Sequence, residues 1–437
     1  MKRTLFATLM LALAPLLGAQ AAAPNPALAP LDALYPDLEK FYIDLHRNPE
    51  LSYHEEKTAA KLAERLRALG YDVATGVGKT GVVAVMKNGA GPTVLVRADM
   101  DALPVEEKTG LAYASQVTTK NDAGETVHVM HACGHDTHVT SLLGAATLLS
   151  KAKARWRGTL VLIGQPAEEG GAGAQAMIKD GLLTRFPKPD VAIAFHDSAS
   201  LPAGQIGVVS GFALANSDSA DITIYGRGGH GSAPQSTVDP IVIAARTVLA
   251  LQTIVSREID PRDPAVVTVG SIHGGTKNNI IPDEVKLQLT IRSYSEKTRR
   301  HLHEAIARIA KAEAAAAGAP KEPLVVVSEG YNATYNDPAL ARRLIATFTG
   351  AFGKDRVVEP PPIMAAEDFG DFGRAAGVPS VIFWVGGVEK SKWDAAQGDP
   401  TKLPSLHSSL WAPDREPTLK TGAAALTVAA LDLLEKP

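Results

Sequence analysis

Short apolar runs alternate with longer stretches of helical spacing in the first half of the chain. Residues 93–98, 159–164 and 191–195 are such runs, each bounded by turn residues. Continuous runs of this length predict strands buried on both faces of a largely parallel sheet. Between the first two, Val139, Leu142, Leu143, Ala146 and Leu149 recur at helical spacing. Residues 45–70 predict one helix, with Leu62, Leu66 and Leu69 on one face and Gly70 as its stop.

The pattern changes over residues 217–328. Residues 220–225 alternate as a strand does, 240–255 read as a helix, 265–272 and 284–292 as strands, 296–316 as a helix and 324–327 as a last strand. That order, β-α-β-β-α-β, is the split ferredoxin-like unit. The predicted fold is therefore α/β: a larger, mostly parallel-sheet domain (24–216 and 329–437) with an inserted ferredoxin-like domain (217–328). Another buried strand is expected at 378–385. A length of 437 residues agrees with two domains.

Each apolar run ends in polar chemistry. The first leads into Asp99-Met100-Asp101, the second into Gln165-Pro166-Ala167-Glu168-Glu169, the third into His196-Asp197. Ligands of open α/β sheets bind beyond the carboxyl ends of the strands. Three strand ends carrying such residues predict a site there.

The first residues follow another logic. Lys2 and Arg3 precede an apolar run over 5–17, then Ala19-Gln20-Ala21 and a Pro/Ala-rich spacer. This is the order of a secretory signal peptide, expected at 1–23, and predicts a periplasmic or secreted protein. The run is short for a bilayer span, and no later segment has the unbroken apolar length of one; no membrane partner is expected after cleavage. A net charge of -3 with no basic segment argues against nucleic-acid binding.

Cys133 is the single cysteine, so no internal disulfide can form. It lies in Met130-His131-Ala132-Cys133-Gly134-His135-Asp136-Thr137-His138. Two residues apart in an extended loop, Cys133 and His135 can point the same way, and thiolate and imidazole both suit zinc-like ions. Glu168 and Glu169 suit a division of labour, one ligating a metal and the other taking a proton from bound water. His230, in Gly228-Gly229-His230-Gly231, is displayed by glycines and could reach into a cleft between domains; His301 and His303 are expected to be solvated.

Taken together, the motifs resemble those of the aminoacylase, hippurate hydrolase and auxin-conjugate hydrolase family of two-metal amidohydrolases. The matching segments are 46–52 (HRNPELS), 97–105 (RADMDALPV), 130–138 (MHACGHDTH), 165–171 (QPAEEGG), 228–234 (GGHGSAP), 274–283 (GGTKNNIIPD), Glu367-Asp368-Phe369 and His407-Ser408. The resemblance implies a zinc-peptidase-like fold, with the larger domain (24–216 and 329–437) as the catalytic domain and the inserted ferredoxin-like domain (217–328) as a lid or dimerisation-type domain. It also implies that Cys133, His135, Glu169, His196 and His407 hold two divalent ions (zinc, manganese, cobalt or nickel), Cys133 bridging. By the same resemblance Glu168 is the general base, Asp101 orients an imidazole ligand such as His135, and His230 stabilises the oxyanion. Asn279 and Arg292 are similar in position to residues that grip a substrate carboxylate.

The implied reaction is hydrolysis of N-acyl amino acids, hippurate-like or related conjugates, by attack of a metal-bridging water. The alternatives are an exported dipeptidase or carboxypeptidase on short peptides, or a non-catalytic metal- or peptide-binding protein; a binder has no need of Glu168 beside Glu169. The inserted domain offers a sheet edge and helices through which a homodimer could form. Two stretches depart from the family pattern. Asp197-Ser198-Ala199-Ser200 stands where larger apolar or aromatic residues are usual, and Ala365-Ala366 where a glycine-serine pair is. Both are expected to alter substrate choice without touching the ligands.

Overall fold

The computed structural model describes residues 25–434 apart from Gly171, so the expected signal peptide lies outside the described residues. Eight strands form one sheet, in the order Asp72–Val77, Gly81–Asn88, Gly158–Gln165, Thr93–Asp99, Val191–Pro202, Ser380–Val388, Ile206–Val208, Val357–Val358. The four middle strands are parallel, and three of them are the apolar runs of the sequence. The hairpin of the first two strands is antiparallel and was not anticipated. Its edge strand is half exposed and lacks a continuous apolar run.

Helices cover both faces of the sheet. Leu31–Arg47, His135–Lys151 and Arg415–Leu433 pack together on one side, where Leu38, Leu142, Leu426 and Phe195 meet. Gly173–Lys179 and Gly370–Ala376 cover the other through Met177 and Phe372. His135–Lys151 is buried nearly all round, which suits a helix enclosed by others and by a sheet.

The helix expected at 45–70 is two helices, Leu31–Arg47 and Glu56–Ala68. Pro49 has no N–H and biases Asn48 out of the helical region, so the chain breaks there. The helix Leu31–Arg47 is tied inward by His46. Its ring bonds Asp136 Oδ2 at 2.7 Å and Glu107 Oε1 at 3.1 Å, all three side chains being buried. Burial alone would lower the His46 pKa, but the hydrogen bonds to Asp136 and Glu107 win and lift it to about 9.

A pKa raised on folding stabilises the protein below the unfolded value, near 6.5, and that stability is lost as pH rises through about 9. The shift corresponds to about 3 kcal/mol. His46→Gln should therefore be less stable than wild type at pH 6, with the gap narrowing by pH 9.5 in denaturant titrations. A gap of constant size across that range would refute the charged-histidine account.

Strands Ala265–His273, Glu284–Ser293, Ser217–Tyr225 and Leu324–Tyr331 form a separate antiparallel sheet in that order. Helices Pro240–Thr253 and Glu296–Ala316 pack on it around Ile222, Leu287, Ile243 and Ile306. The helical stretch Pro240–Glu258 is long and apolar enough by composition to cross a membrane, although Arg246 and Arg257 break its apolar run. Its Ile243, Ala244 and Leu251 are instead buried in the core of this unit. His303 is also not simply solvated: it bonds Asp218 at 2.8 Å, and Asp218 pairs with Arg299.

Candidate metal centre

The site is assembled where the parallel strands end. Thr93–Asp99 delivers Asp99 and, just beyond it, Asp101; Gly158–Gln165 leads into Glu168 and Glu169; Val191–Pro202 carries His196 and Asp197. Cys133 and His135 do not lie in an extended loop. Gly134 between them has φ +73°, a left-handed turn that suits glycine, and His135 opens the helix His135–Lys151. His407 itself has φ +68°, and its N–H bonds the Ala132 carbonyl at 2.8 Å, which holds it over the same turn.

These side chains converge. Cys133 Sγ lies 3.2 Å from His407 Nε2 and 3.6 Å from His196 Nε2. Glu169 Oε1 is 3.0 Å from His407 Nε2 and 4.0 Å from His135 Nε2. Ligand atoms of Cys133, Glu169 and His407 all lie within 4.8 Å of one another, and so do those of Asp99, His135, His138 and His196. The rings are oriented from behind: His135 Nδ1 donates to the Asp101 carbonyl and His196 Nδ1 to the Asp197 carbonyl, each at 2.8 Å. Both Nε2 lone pairs are thereby turned inward.

Asp101 does more than orient His135. Its carboxylate accepts the backbone N–H of Glu168 at 3.1 Å and of Glu169 at 2.9 Å, together with the Ser52 hydroxyl at 2.6 Å. One side chain thus holds the turn that splits the two glutamates. Ala167, at φ +50°, gives its N–H to Glu55 at 2.8 Å, and the Tyr331 hydroxyl donates to the Glu168 carbonyl. Burial first, then the charges of Glu367 and Glu169, push the Glu168 carboxyl well above the usual carboxylate range.

Beneath them lies a charged network that motif reading did not resolve. Arg97 is fully buried and donates to Asp99 at 2.6 Å, to Glu367 at 2.7 Å and 3.2 Å, and to Gln165 at 2.8 Å. His138 Nδ1 bonds Asp99 at 2.5 Å. The sequence signalled its members separately, as Arg97 and Asp99 in the segment 97–105, His138 three residues after His135, and Glu367-Asp368, but not that they meet.

A cavity of about 460 Å³ opens over the centre, lined by Cys133, Glu168, Glu169, His196, His407 and, from the inserted unit, Arg292. Leu214, Trp384, Leu406, Ala365 and Ala366 supply apolar wall. Asn279 and His230 are not brought to it. Both line a different cavity with Lys277, where His230 is exposed and bonds Ser232 Oγ at 2.7 Å. The paired strands Gly229–His230 and Ile280–Ile281 hold the two residues there.

The sequence model of peptidase family M20/M25/M40 matches residues 95–401. The chain belongs to this family. A Saccharolobus solfataricus relative, Thermostable carboxypeptidase 2, is 39% identical over 396 residues, covering 90% of this chain and 94% of its own. Hippurate hydrolase of Campylobacter jejuni is 40% identical over 340 residues, 77% of this chain and 85% of the relative. The solved structure of the Bacillus subtilis YXEP protein, a dinuclear metal-binding peptidase of the M20 family, has a TM-score of 0.74 at 29% identity and covers 92% and 99% of the two chains. This M20 protein is a metal-dependent hydrolase of amide bonds that uses two divalent ions.

The residues present fit that M20 requirement. Among the described residues, buried His135 Nε2 and Glu169 Oε1 make no hydrogen bond, although His407 Nε2 lies 3.0 Å from the glutamate oxygen. Lone pairs of Glu169, His407, Cys133 and His196 face one another at close range, an arrangement that asks for a cation. Burial, then Glu169 and Glu168, push the Cys133 thiol well above its ordinary pKa; a bound cation reverses this and holds the thiolate. His135 would be lowered by burial, but Asp99 and Asp101 lift it to about 10, so a cation can stand where a proton otherwise would.

Proposed function

We propose that the substrate is an N-acyl amino acid, hippurate-like or a related conjugate, recognised by its free carboxylate at Arg292. Position carries this reading. Arg292 is the cationic residue lining the cavity that contains Glu168 and the ligand cluster. Its one side-chain hydrogen bond among the described residues is a long one, Nε to Thr290 Oγ1 at 3.4 Å, so the guanidinium fork is left for an anion. The volume of about 460 Å³ suits a small molecule. Apolar walls at Leu214, Trp384 and Leu406 favour an acyl group over a charged peptide amine.

In this reading Cys133, His135, Glu169, His196 and His407 hold the ions. When bound, the ions supply Lewis acidity and a water acidic enough to attack at neutral pH. Glu168 takes the proton from that water and returns it to the departing amine. Asp101 keeps Glu168 and Glu169 apart through their N–H groups. Arg292 orients the scissile amide by its grip on the carboxylate.

Arg292→Ala should lower kcat/KM for hippurate about 10–100-fold, the loss of one charge-assisted contact of 1.5–3 kcal/mol. The carboxamide analogue of hippurate should be nearly unaffected. If the variant still prefers carboxylate to carboxamide as strongly as wild type does, Arg292 is not the grip. Dipeptides turned over faster than acyl-amino acids would favour the carboxypeptidase alternative. We also infer that the chain is exported before it acts, which the charged start, apolar run and Ala19-Gln20-Ala21 support. A homodimer through the inserted unit is supported by Val242 and Leu249, 55% and 72% exposed on its first helix.

A further inference from the structure

Asp197 has no task in the reaction above. It was expected to alter substrate choice, yet it does not line the cavity and is fully buried. It lies behind the ligands instead. Its Oδ1 is 3.2 Å from His196 Nδ1 and 3.2 Å from His138 Nε2, and its Oδ2 accepts the Trp411 indole N–H at 3.2 Å. Its backbone contributes twice more, accepting from His196 Nδ1 at 2.8 Å and donating to His138 Nε2 at 2.9 Å. The carboxylate also underlies the turn that presents Cys133 and His135, because a methyl group on Gly134 would collide with both of its oxygens.

A carboxylate buried this deeply is costly unless its surroundings use the charge. Here the charge faces the rear nitrogen of one imidazole of the cluster and the underside of the loop that carries two more of its side chains. A carboxylate in that position fixes the tautomer and rotation of the ring and makes its forward nitrogen a better donor. We propose that Asp197 is a positioning residue of the metal centre, holding His196 Nε2 toward Cys133 and strengthening divalent-ion binding. The inference rests on the reading of His196 as a ligand.

The test is metal binding by the full mature chain, with zinc and manganese dissociation constants measured by competition and cobalt(II) absorption as a probe of geometry. Asp197→Asn, of equal size, should weaken at least one ion by about 10–100-fold and shift the cobalt bands. Should that variant not fold, Asp197→Ser carries the same expectation. Trp411→Phe disturbs the same packing but keeps the carboxylate, and should bind both ions close to wild type. An Asp197 variant that loses thermal stability but binds and absorbs as wild type does would overturn the proposal. So would a Trp411→Phe protein as weakened in metal binding as Asp197→Asn. His196→Ala separates the two readings. If it keeps both ions at wild-type affinity, the ligand assignment falls. If it loses one while Asp197→Asn loses none, only the role of Asp197 falls.

Discussion

Glu168→Ala should keep both divalent ions and lose turnover by about 10²–10⁴-fold, the usual contribution of a positioned general acid–base. The reason is the turn at the end of the strand Gly158–Gln165. Asp101 holds the N–H groups of both glutamates, yet only Glu169 approaches His407, at 3.0 Å. Removing the Glu168 carboxylate leaves that hold and the Glu169 contact in place. Metal content by mass spectrometry and kcat on hippurate are the two measurements. Turnover near the wild-type rate with full metal content would falsify the base assignment. Loss of an ion along with activity would make Glu168 a ligand instead.

Arg97→Met should destabilise the fold by about 3–5 kcal/mol, the cost of breaking a buried ion pair from one side. Arg97 is fully buried and hydrogen-bonded to Asp99 and Glu367. Burial would lower its pKa, but Asp99, Glu367 and Asp368 together raise it. Without it those carboxylates stay buried with their main cation gone. Arg97→Lys keeps the charge but loses the planar fork, so a smaller loss is expected. Urea titrations of the three proteins should rank them wild type, Lys, Met; a Met variant as stable as wild type would mean the network is neutralised by protons and not by Arg97.

Much of this protein is local and could be read along the chain. Continuous apolar runs mark the central parallel strands because both faces of such strands are buried, and three of them end in the polar residues that line the centre. The inserted unit was legible because its strands and helices keep their own periods; residues 296–316 are a helix as expected. The misreading of residues 45–70 is also local. There the apolar spacing continues across Pro49, and the missing N–H decides against it.

What the sequence by itself determined is therefore the α/β frame with its inserted β-α-β-β-α-β unit, and the chemical types gathered at the strand ends. These follow from side-chain period and from neighbours a few residues apart. The tertiary structure alone decided which groups face each other. It joined Arg97 to Glu367 across 270 positions and His46 to Asp136 across 90. It made Asp101 the anchor of two glutamates and put Asp197 behind His196 and beneath the turn that carries Cys133 and His135, away from the cavity. It left His230 and Asn279 on a separate cavity while bringing Arg292 to the centre. Charge pairing in a buried site depends on distance in space, and no period along the chain encodes it.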